Sequence, residues 1–132
     1  RRLFTDYGRV EREYYRTTGI FPIMHVVALR RDVYEANRWI AQSLYKALVE
    51  AQRRVYEDFH ETAALKAMLP WRVEHVEEAE ALMGPDFWPY GLERNHATLA
   101  TFLRYSHEQG LSKRQLTPEE LFAPETLEAF VI

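Results

Sequence analysis

A single apolar run, within residues 19–32, most restricts what this chain of 132 residues can fold into. Residues 26–29 read Val-Val-Ala-Leu, a continuous apolar stretch that predicts a buried β-strand from Val26 to Arg31. A strand of this kind is usually covered on both faces within a sheet. The rest of the sequence offers no clear partner strand. The sequence therefore predicts a mainly α fold with one or two β-strands, and the sheet would be completed from outside the chain.

The rest of the chain is dominated by helical periodicity. The strongest pattern covers residues 38–60, where apolar residues recur every three or four positions, and it predicts a long amphipathic helix. Its apolar stripe consists of Ile40, Leu44, Leu48, Ala51, Val55 and Phe59. Shorter helices are predicted over residues 6–18, 62–69, 71–83, 92–109 and 117–122, and a last one begins at Pro124 and carries Leu127 and Phe130. No linker or repeat separates these elements, so residues 1–132 are predicted to form a single domain.

The composition argues against several classes of function. The net charge of −3 gives no electrostatic reason to bind nucleic acid or an anionic membrane surface. No apolar run approaches the roughly 20 residues that are needed to span a bilayer. The chain has no cysteine, which excludes thiol catalysis and disulfides. We therefore expect no nucleic-acid partner and no membrane partner.

No motif in the sequence names a cofactor or a metal. There is no Gly-rich phosphate loop and no Gly-x-Ser-x-Gly elbow. His75 with Glu78, or Glu57 with His60 or Glu61, could touch a metal together, but helices rich in glutamate produce such pairs by chance. Solvated helix faces are the better interpretation, and we expect neither a metal nor another cofactor.

His25 is the main candidate for acid–base chemistry. It lies at the mouth of the predicted strand, three residues after Pro22, where an imidazole can be held rigid and partly desolvated. Such surroundings tune a proton donor or an anion-binding group. The alternative is a structural histidine that is hydrogen-bonded at the start of a strand, and the residues alone leave both interpretations open.

Two arginines form a second candidate cluster. Arg12 and Arg16 are four positions apart on the first predicted helix and therefore share one face, close to the bend at residues 19–25. Paired guanidinium groups suit bidentate recognition of a carboxylate. The alternative is a surface of ion pairs with Glu11 and Glu13.

The loop at residues 85–91, with the sequence PDFWPYG, is rigid and aromatic. Trp88 and Tyr90 could roof a pocket for a planar ring, although burial against the long helix is the simpler role.

Four runs in the sequence resemble the C-terminal part of the 4,5-dihydroxyphthalate decarboxylase family. They read YYRTTGIFPIMH, RRDVYEANRWIAQSLYKALVEAQ, MGPDFWPYGLERN and FLRYSHEQGLS…LTPEELFAPET, and together they cover essentially the whole chain. The family's chains are longer and continue upstream, and they are similar to two-lobed α/β solute-binding proteins of importers. The resemblance implies that this chain is the C-terminal portion of such a periplasmic-binding-protein-like fold, with the upstream lobe outside it. The predicted strand and long helix would return from the second lobe to the first.

The resemblance also implies an activity, the non-oxidative loss of CO2 from an aromatic dicarboxylate to give 3,4-dihydroxybenzoate. The resemblance supplies the motif at residues 19–25 but not the roles. Our hypothesis is that His25 is the acid or carboxylate partner and Tyr15 a hydrogen-bond donor to a ring hydroxyl. The substrate would be bound by Arg16, Arg12, Met24, Trp88 and Tyr90. Such an enzyme would be cytoplasmic, and the fragment alone, with half of its cleft missing, is expected to be inactive.

Two other hypotheses remain open from the sequence. The chain could belong to a solute-binding receptor that binds an aromatic carboxylate without chemistry, since fold alone does not decide function. It could also form a homo-oligomer through the strand from Val26 to Arg31, because an unpaired strand edge recruits another strand.

Overall fold

The computed structural model describes residues 2–127 as a helical domain. Five α-helices are followed by two short 3-10 helices. The α-helices are α1 (Tyr7–Thr18), α2 (Arg31–Ala36), α3 (Trp39–His60), α4 (Arg72–Met83) and α5 (Leu92–Glu108), and the 3-10 helices are Pro118–Leu121 and Pro124–Thr126. None of the helices in this part of the chain combines the length and apolar character needed to cross a bilayer.

The predicted β-strand is not present. Residues 19–30 form no ladder, and no strand or sheet occurs within residues 2–127. The prediction that this chain is part of a two-lobed α/β fold with a strand is therefore wrong for the described residues. The valine side chains are exposed rather than buried, at 65% for Val26 and 63% for Val27. The prediction failed because β-structure needs a hydrogen-bonding partner, which an apolar sequence cannot supply by itself. Arg31, the last residue of the predicted strand, instead begins α2.

The first helix ends where the sequence places a stop. Gly19 adopts a left-handed conformation with φ +66°, and its amide donates to the carbonyl of Tyr15 at 2.7 Å. Glycine is suited to this helix cap because it has no Cβ to collide with the carbonyl. The predicted end of α1 is therefore confirmed, and the cap turns the chain into the extended segment at residues 19–30.

The long amphipathic helix is confirmed as α3, and α2, α4 and the second 3-10 helix pack against it. Its predicted apolar stripe is only partly covered: Ile40, Leu44, Leu48 and Phe59 are half-buried, while Val55 is exposed. The best-buried residue of α3 is Ala41, which was not in the predicted stripe.

The predicted helix over residues 62–69 is wrong, because this segment is irregular and exposed. The carboxylate of Glu61 accepts the amide of Ala63 at 2.7 Å, and such a local bond competes with helix formation. Arg72 joins the start of α4 to the end of α3. Its buried guanidinium donates to the carbonyls of Asp58 and Glu61 at 3.1 and 2.7 Å. The positive charge lies at the C-terminal end of α3, where the helix dipole favours it.

The core is centred on α5. Leu92, Leu99 and Leu103 are buried along one face of this helix. Phe102 and Tyr105, which the apolar spacing also predicts on this side, are exposed. The first 3-10 helix packs on α5, and the carboxylate of Glu120 accepts the amide of Thr117 at 2.8 Å, which is one half of a capping box. The last predicted helix is a 3-10 turn, Pro124–Thr126, and Phe130 lies outside the described residues.

The junction of α3 and α4 is expected to weaken as the pH rises. His60 contacts the carbonyl of Tyr56 at 2.7 Å and a carboxylate oxygen of Glu80 at 2.9 Å, and these two acceptors, the carbonyl first, raise the pKa of His60. Protonated His60 donates to both, so its stabilisation is complete below the ordinary histidine pKa of about 6.5 and is lost as pH rises through the higher folded pKa. Thermal unfolding followed by circular dichroism across this range should show the loss.

The variant His60→Gln tests this assignment, with His75→Gln as the matched control on the exposed surface of α4. His60→Gln should remove the pH dependence, and His75→Gln should keep it. An unchanged pH profile in His60→Gln would contradict the role of this histidine.

Candidate functional site

The loop between α4 and α5, residues 84–91, is called the aromatic loop here. Tyr56 of α3 holds it in place, because the Tyr56 hydroxyl accepts the amide of Trp88 at 2.9 Å and donates to Oδ1 of Asp86 at 3.2 Å. Burial raises the pKa of Tyr56 to about 12, so this hydroxyl stays protonated at neutral pH and can donate. One tyrosine thus fixes two points of the aromatic loop.

The first residues of α5 hold the other side of the aromatic loop. Arg94 donates to Oδ2 of Asp86 at 2.6 Å, and Asn95 donates to the carbonyls of Pro89 and Gly91 at 2.7 and 2.8 Å. Gln52 of α3 donates to the carbonyl of Trp88. The aromatic loop is therefore hydrogen-bonded to both α3 and α5, mostly through its backbone, which limits its motion.

Gly91 ends the aromatic loop at a position with no room for a side chain. Its φ is +92°, and a Cβ built there would collide with the ring and hydroxyl of Tyr45. Tyr45, Tyr90 and Gly91 line a small cavity of about 140 Å³ together with the start of α5 and residues 126–127. This cavity is too small for a substituted aromatic ring and its substituents, since ligand pockets typically measure about 300–1,000 Å³.

The aromatic residues of the loop divide into a half-buried and an exposed set. Phe87 packs on α3, with its ring centroid 4.9 Å from that of Tyr56. Trp88 and Tyr90 remain exposed to a similar degree. Trp88 meets Phe21 of the extended segment edge-to-face, with the ring centroids 5.3 Å apart. The structure therefore brings the segment before His25 against the aromatic loop.

His25 and Met24 both face outward from the extended segment. Their side chains are exposed, and His25 makes no hydrogen bond with any residue in the range 2–127. The structure thus does not show the rigid, partly desolvated setting that the sequence suggested for this imidazole. Tyr15 is half-buried on α1, one turn before the cap at Gly19.

Arg12 and Arg16 line a groove between α1 and α4, which is called the α1–α4 groove. Its volume is about 320 Å³, and Glu78, Ala81 and Leu82 of α4 form its other wall. Arg12 donates to a carboxylate oxygen of Glu78 at 2.9 Å, and Arg16 lies 3.5 Å from the carboxylate of Glu13. Both arginines are thus brought into one cavity, with one short and one long ion pair.

The sequence did not point to Tyr56 or Asp86, and it indicated Glu78 only as a chance metal pair with His75. A sequence signal for the observed contacts existed only for Asp86, which stands in the aromatic loop. Tyr56 and Glu78 lie on helices 30 or more positions away from the groups they bind. No group of three or more His, Asp or Glu side chains suited to a metal ion occurs in the described part of the chain.

Removing the Tyr56 hydroxyl should loosen the aromatic loop. In Tyr56→Phe, the amide of Trp88 and Oδ1 of Asp86 lose their partner, which should lower the free energy of unfolding by about 1–2 kcal/mol. Denaturant unfolding measures this change, and the emission of Trp88 should report a wetter environment. Tyr105→Phe is the control, because Tyr105 is exposed on α5. Equal effects of the two variants would contradict the role of the Tyr56 hydroxyl in holding the aromatic loop.

Fold and site together define a small helical domain that presents two arginines and an aromatic loop. No family model matches the chain. The chain is 37% identical over 130 residues to 4,5-dihydroxyphthalate decarboxylase of Comamonas testosteroni. The match covers 98% of this chain and 39% of the relative's length, which is consistent with the C-terminal part of such an enzyme.

This comparison confirms the resemblance seen in the sequence. The chain is a homologue of that decarboxylase along the matched segment, and it spans about two-fifths of the length of the curated relative.

Proposed function

We propose that this chain forms part of a decarboxylase that acts on 4,5-dihydroxyphthalate or a closely related aromatic dicarboxylate. The observation that carries the proposal is the 37% identity along nearly the whole chain to an enzyme of that name. Two features of the surface are compatible with such a substrate. The α1–α4 groove offers guanidinium groups to a carboxylate, and the aromatic loop offers exposed rings to a planar ligand.

The reaction places three physical demands on the site. The bond between the ring carbon and the departing carboxylate breaks, its electrons stay on the ring carbon, and CO2 leaves. A cation must hold the carboxylate that remains, and poor solvation of the departing carboxylate favours its loss of charge. A general acid must then give a proton to the ring carbon, which yields 3,4-dihydroxybenzoate from the dihydroxylated substrate.

We assign each candidate residue to one of these demands of the reaction. His25 is proposed as the acid, and Tyr15 as a hydrogen-bond donor to a ring hydroxyl. Arg16 would hold the retained carboxylate, and Arg12 would contact the substrate beside it. The side chains proposed to contact the ring are Met24, Trp88 and Tyr90.

The described residues carry these groups on an open surface. A decarboxylation site must exclude water from the departing carboxylate, and exposed His25 and Met24 have no cover within residues 2–127. We therefore propose that further polypeptide closes the site, in keeping with the greater length of the relative. The 132-residue chain alone is expected to release no product.

A chimera tests the proposal without any assumption about the rest of the protein. The 132-residue chain replaces the matched 39% of the C. testosteroni decarboxylase, and turnover of 4,5-dihydroxyphthalate is followed by the appearance of 3,4-dihydroxybenzoate. We expect the chimera to form product, because each proposed role would be filled by this chain's own residue.

The unmodified relative and a chimera carrying Arg16→Gln are the controls for this experiment. Arg16→Gln should raise KM, since it removes a contact to the retained carboxylate. A folded chimera that binds 4,5-dihydroxyphthalate but forms no product would contradict the enzymatic proposal and would instead match a binding protein without chemistry.

A further inference from the structure

The α1–α4 groove combines two positively charged side chains with an apolar surface. On one wall stand Arg12 and Arg16, one turn or about 6 Å apart along the helix axis. Opposite them, Ala81 and Leu82 give an apolar floor beside Glu78. At about 320 Å³ the groove lies at the lower end of ligand pockets, which suits a molecule with a single ring.

The two arginines differ in how firmly they are paired. Arg12 makes a 2.9 Å hydrogen bond to Glu78, which lies 66 positions away on α4. Arg16 is only 3.5 Å from Glu13, a neighbour on its own helix. All four side chains of these pairs are roughly half exposed, so water weakens both pairs and an incoming anion can compete for the cations.

We infer that the α1–α4 groove binds an aromatic ring with two adjacent carboxylates, and that Glu78 is a displaceable counterion which holds Arg12 until this ligand arrives. One carboxylate contacts Arg16, and the neighbouring one takes the place of the Glu78 carboxylate on Arg12. The ring then lies on Ala81 and Leu82. The inference rests on the proposed function for the substrate class, and it adds the subsite and its internal competitor.

This arrangement selects between isomers. Adjacent carboxylates can reach two guanidinium groups that are one helical turn apart while the ring stays on the apolar floor. A para-dicarboxylate points its second carboxylate away from the arginines. A monocarboxylate meets Arg16 alone and leaves Glu78 in place, where its charge repels the ligand.

The probe for the test is phthalate, which lacks the ring hydroxyls and can be titrated into the 132-residue chain without any turnover. Amide shifts in 15N-labelled protein should saturate at millimolar phthalate for residues of α1 and α4. Glu78→Gln should bind about three- to fivefold more tightly, because the exposed ion pair that it removes contributes up to about 1 kcal/mol. Arg16→Gln should bind at least about fivefold more weakly, since it loses a charge-assisted contact.

Two controls separate this site from general attraction between charges. Arg54→Gln removes an arginine of α3 that is paired with Glu50, and it should leave phthalate binding unchanged. Terephthalate should bind more weakly than phthalate. Phthalate shifts that fail to saturate, that spread over all basic surfaces, or that saturate in Arg16→Gln at the same phthalate concentration as in the unmodified chain would overturn the inference.

The phthalate titration and the chimera experiment test different claims and can fail separately. An active chimera without saturable phthalate binding by the chain would leave the enzymatic proposal standing and remove this subsite. Saturable binding with an inactive chimera would keep the subsite and remove the enzymatic proposal.

Discussion

Replacing Leu103 by Ala is expected to lower the free energy of unfolding by about 3 kcal/mol, a typical cost for truncating a buried leucine. Leu103 is only 6% exposed and lies on the buried face of α5 with Leu99 and Leu92. The described residues bury few apolar side chains to this degree, and besides the three leucines these are Ala41 and Pro118. Because native domains are only marginally stable, a loss of this size should remove much of the folded population on mild heating.

Phe102→Ala is the matched control for this prediction. Phe102 is the preceding residue of the same helix, yet it is 63% exposed. Its truncation should change the free energy of unfolding by less than about 1 kcal/mol, as expected for a surface position. Urea unfolding of both variants measures the difference. Similar losses in the two variants would show that α5 buries a different face in solution.

The sequence predicted helices well where their ends are determined locally. The stop of α1 at Gly19 depends on one left-handed residue and one hydrogen bond to Tyr15. The start of α5 at Leu92 follows Gly91, whose φ of +92° marks the break. Such signals lie within a few residues of the feature they determine, and a sequence displays them directly.

The predicted strand failed for the opposite reason. The run at residues 26–29 carries the composition of a buried strand, but burial and pairing depend on what lies next to it in space. Within the described part of the chain nothing pairs with it, and its valines stay exposed. Residues 62–69 illustrate a second limit, since the bond from Ala63 to Glu61 outweighs an otherwise acceptable helical pattern.

The candidate site was predictable in its residue types more than in its contacts. Spacing placed Arg12 and Arg16 on one helix face, and the structure does place both in one groove. The same spacing could not indicate Glu78, which belongs to another helix. Composition identified an aromatic loop, but only the structure separates half-buried Phe87 from exposed Trp88 and reveals the hydrogen bonds of Tyr56 to the loop.

The largest effect on activity is expected from His25→Gln in the chimera. Loss of a positioned proton donor typically lowers the rate by about 10²–10⁴-fold, so kcat should fall by at least about 100-fold. KM should change little, because binding of the carboxylate and ring is assigned to other side chains. Glutamine keeps the polarity and approximate size of histidine but cannot act as the acid.

Because His25 is exposed, its substitution should affect activity without affecting stability. Its side chain makes no hydrogen bond within residues 2–127, so the substitution should leave the melting temperature of the 132-residue chain unchanged. His75→Gln replaces another exposed histidine, on α4, and should retain full activity. Unchanged kcat in His25→Gln would remove this residue from the mechanism. Equal losses in both variants would indicate a general effect on the chimera, and the assignment of the acid to His25 would then fail as well.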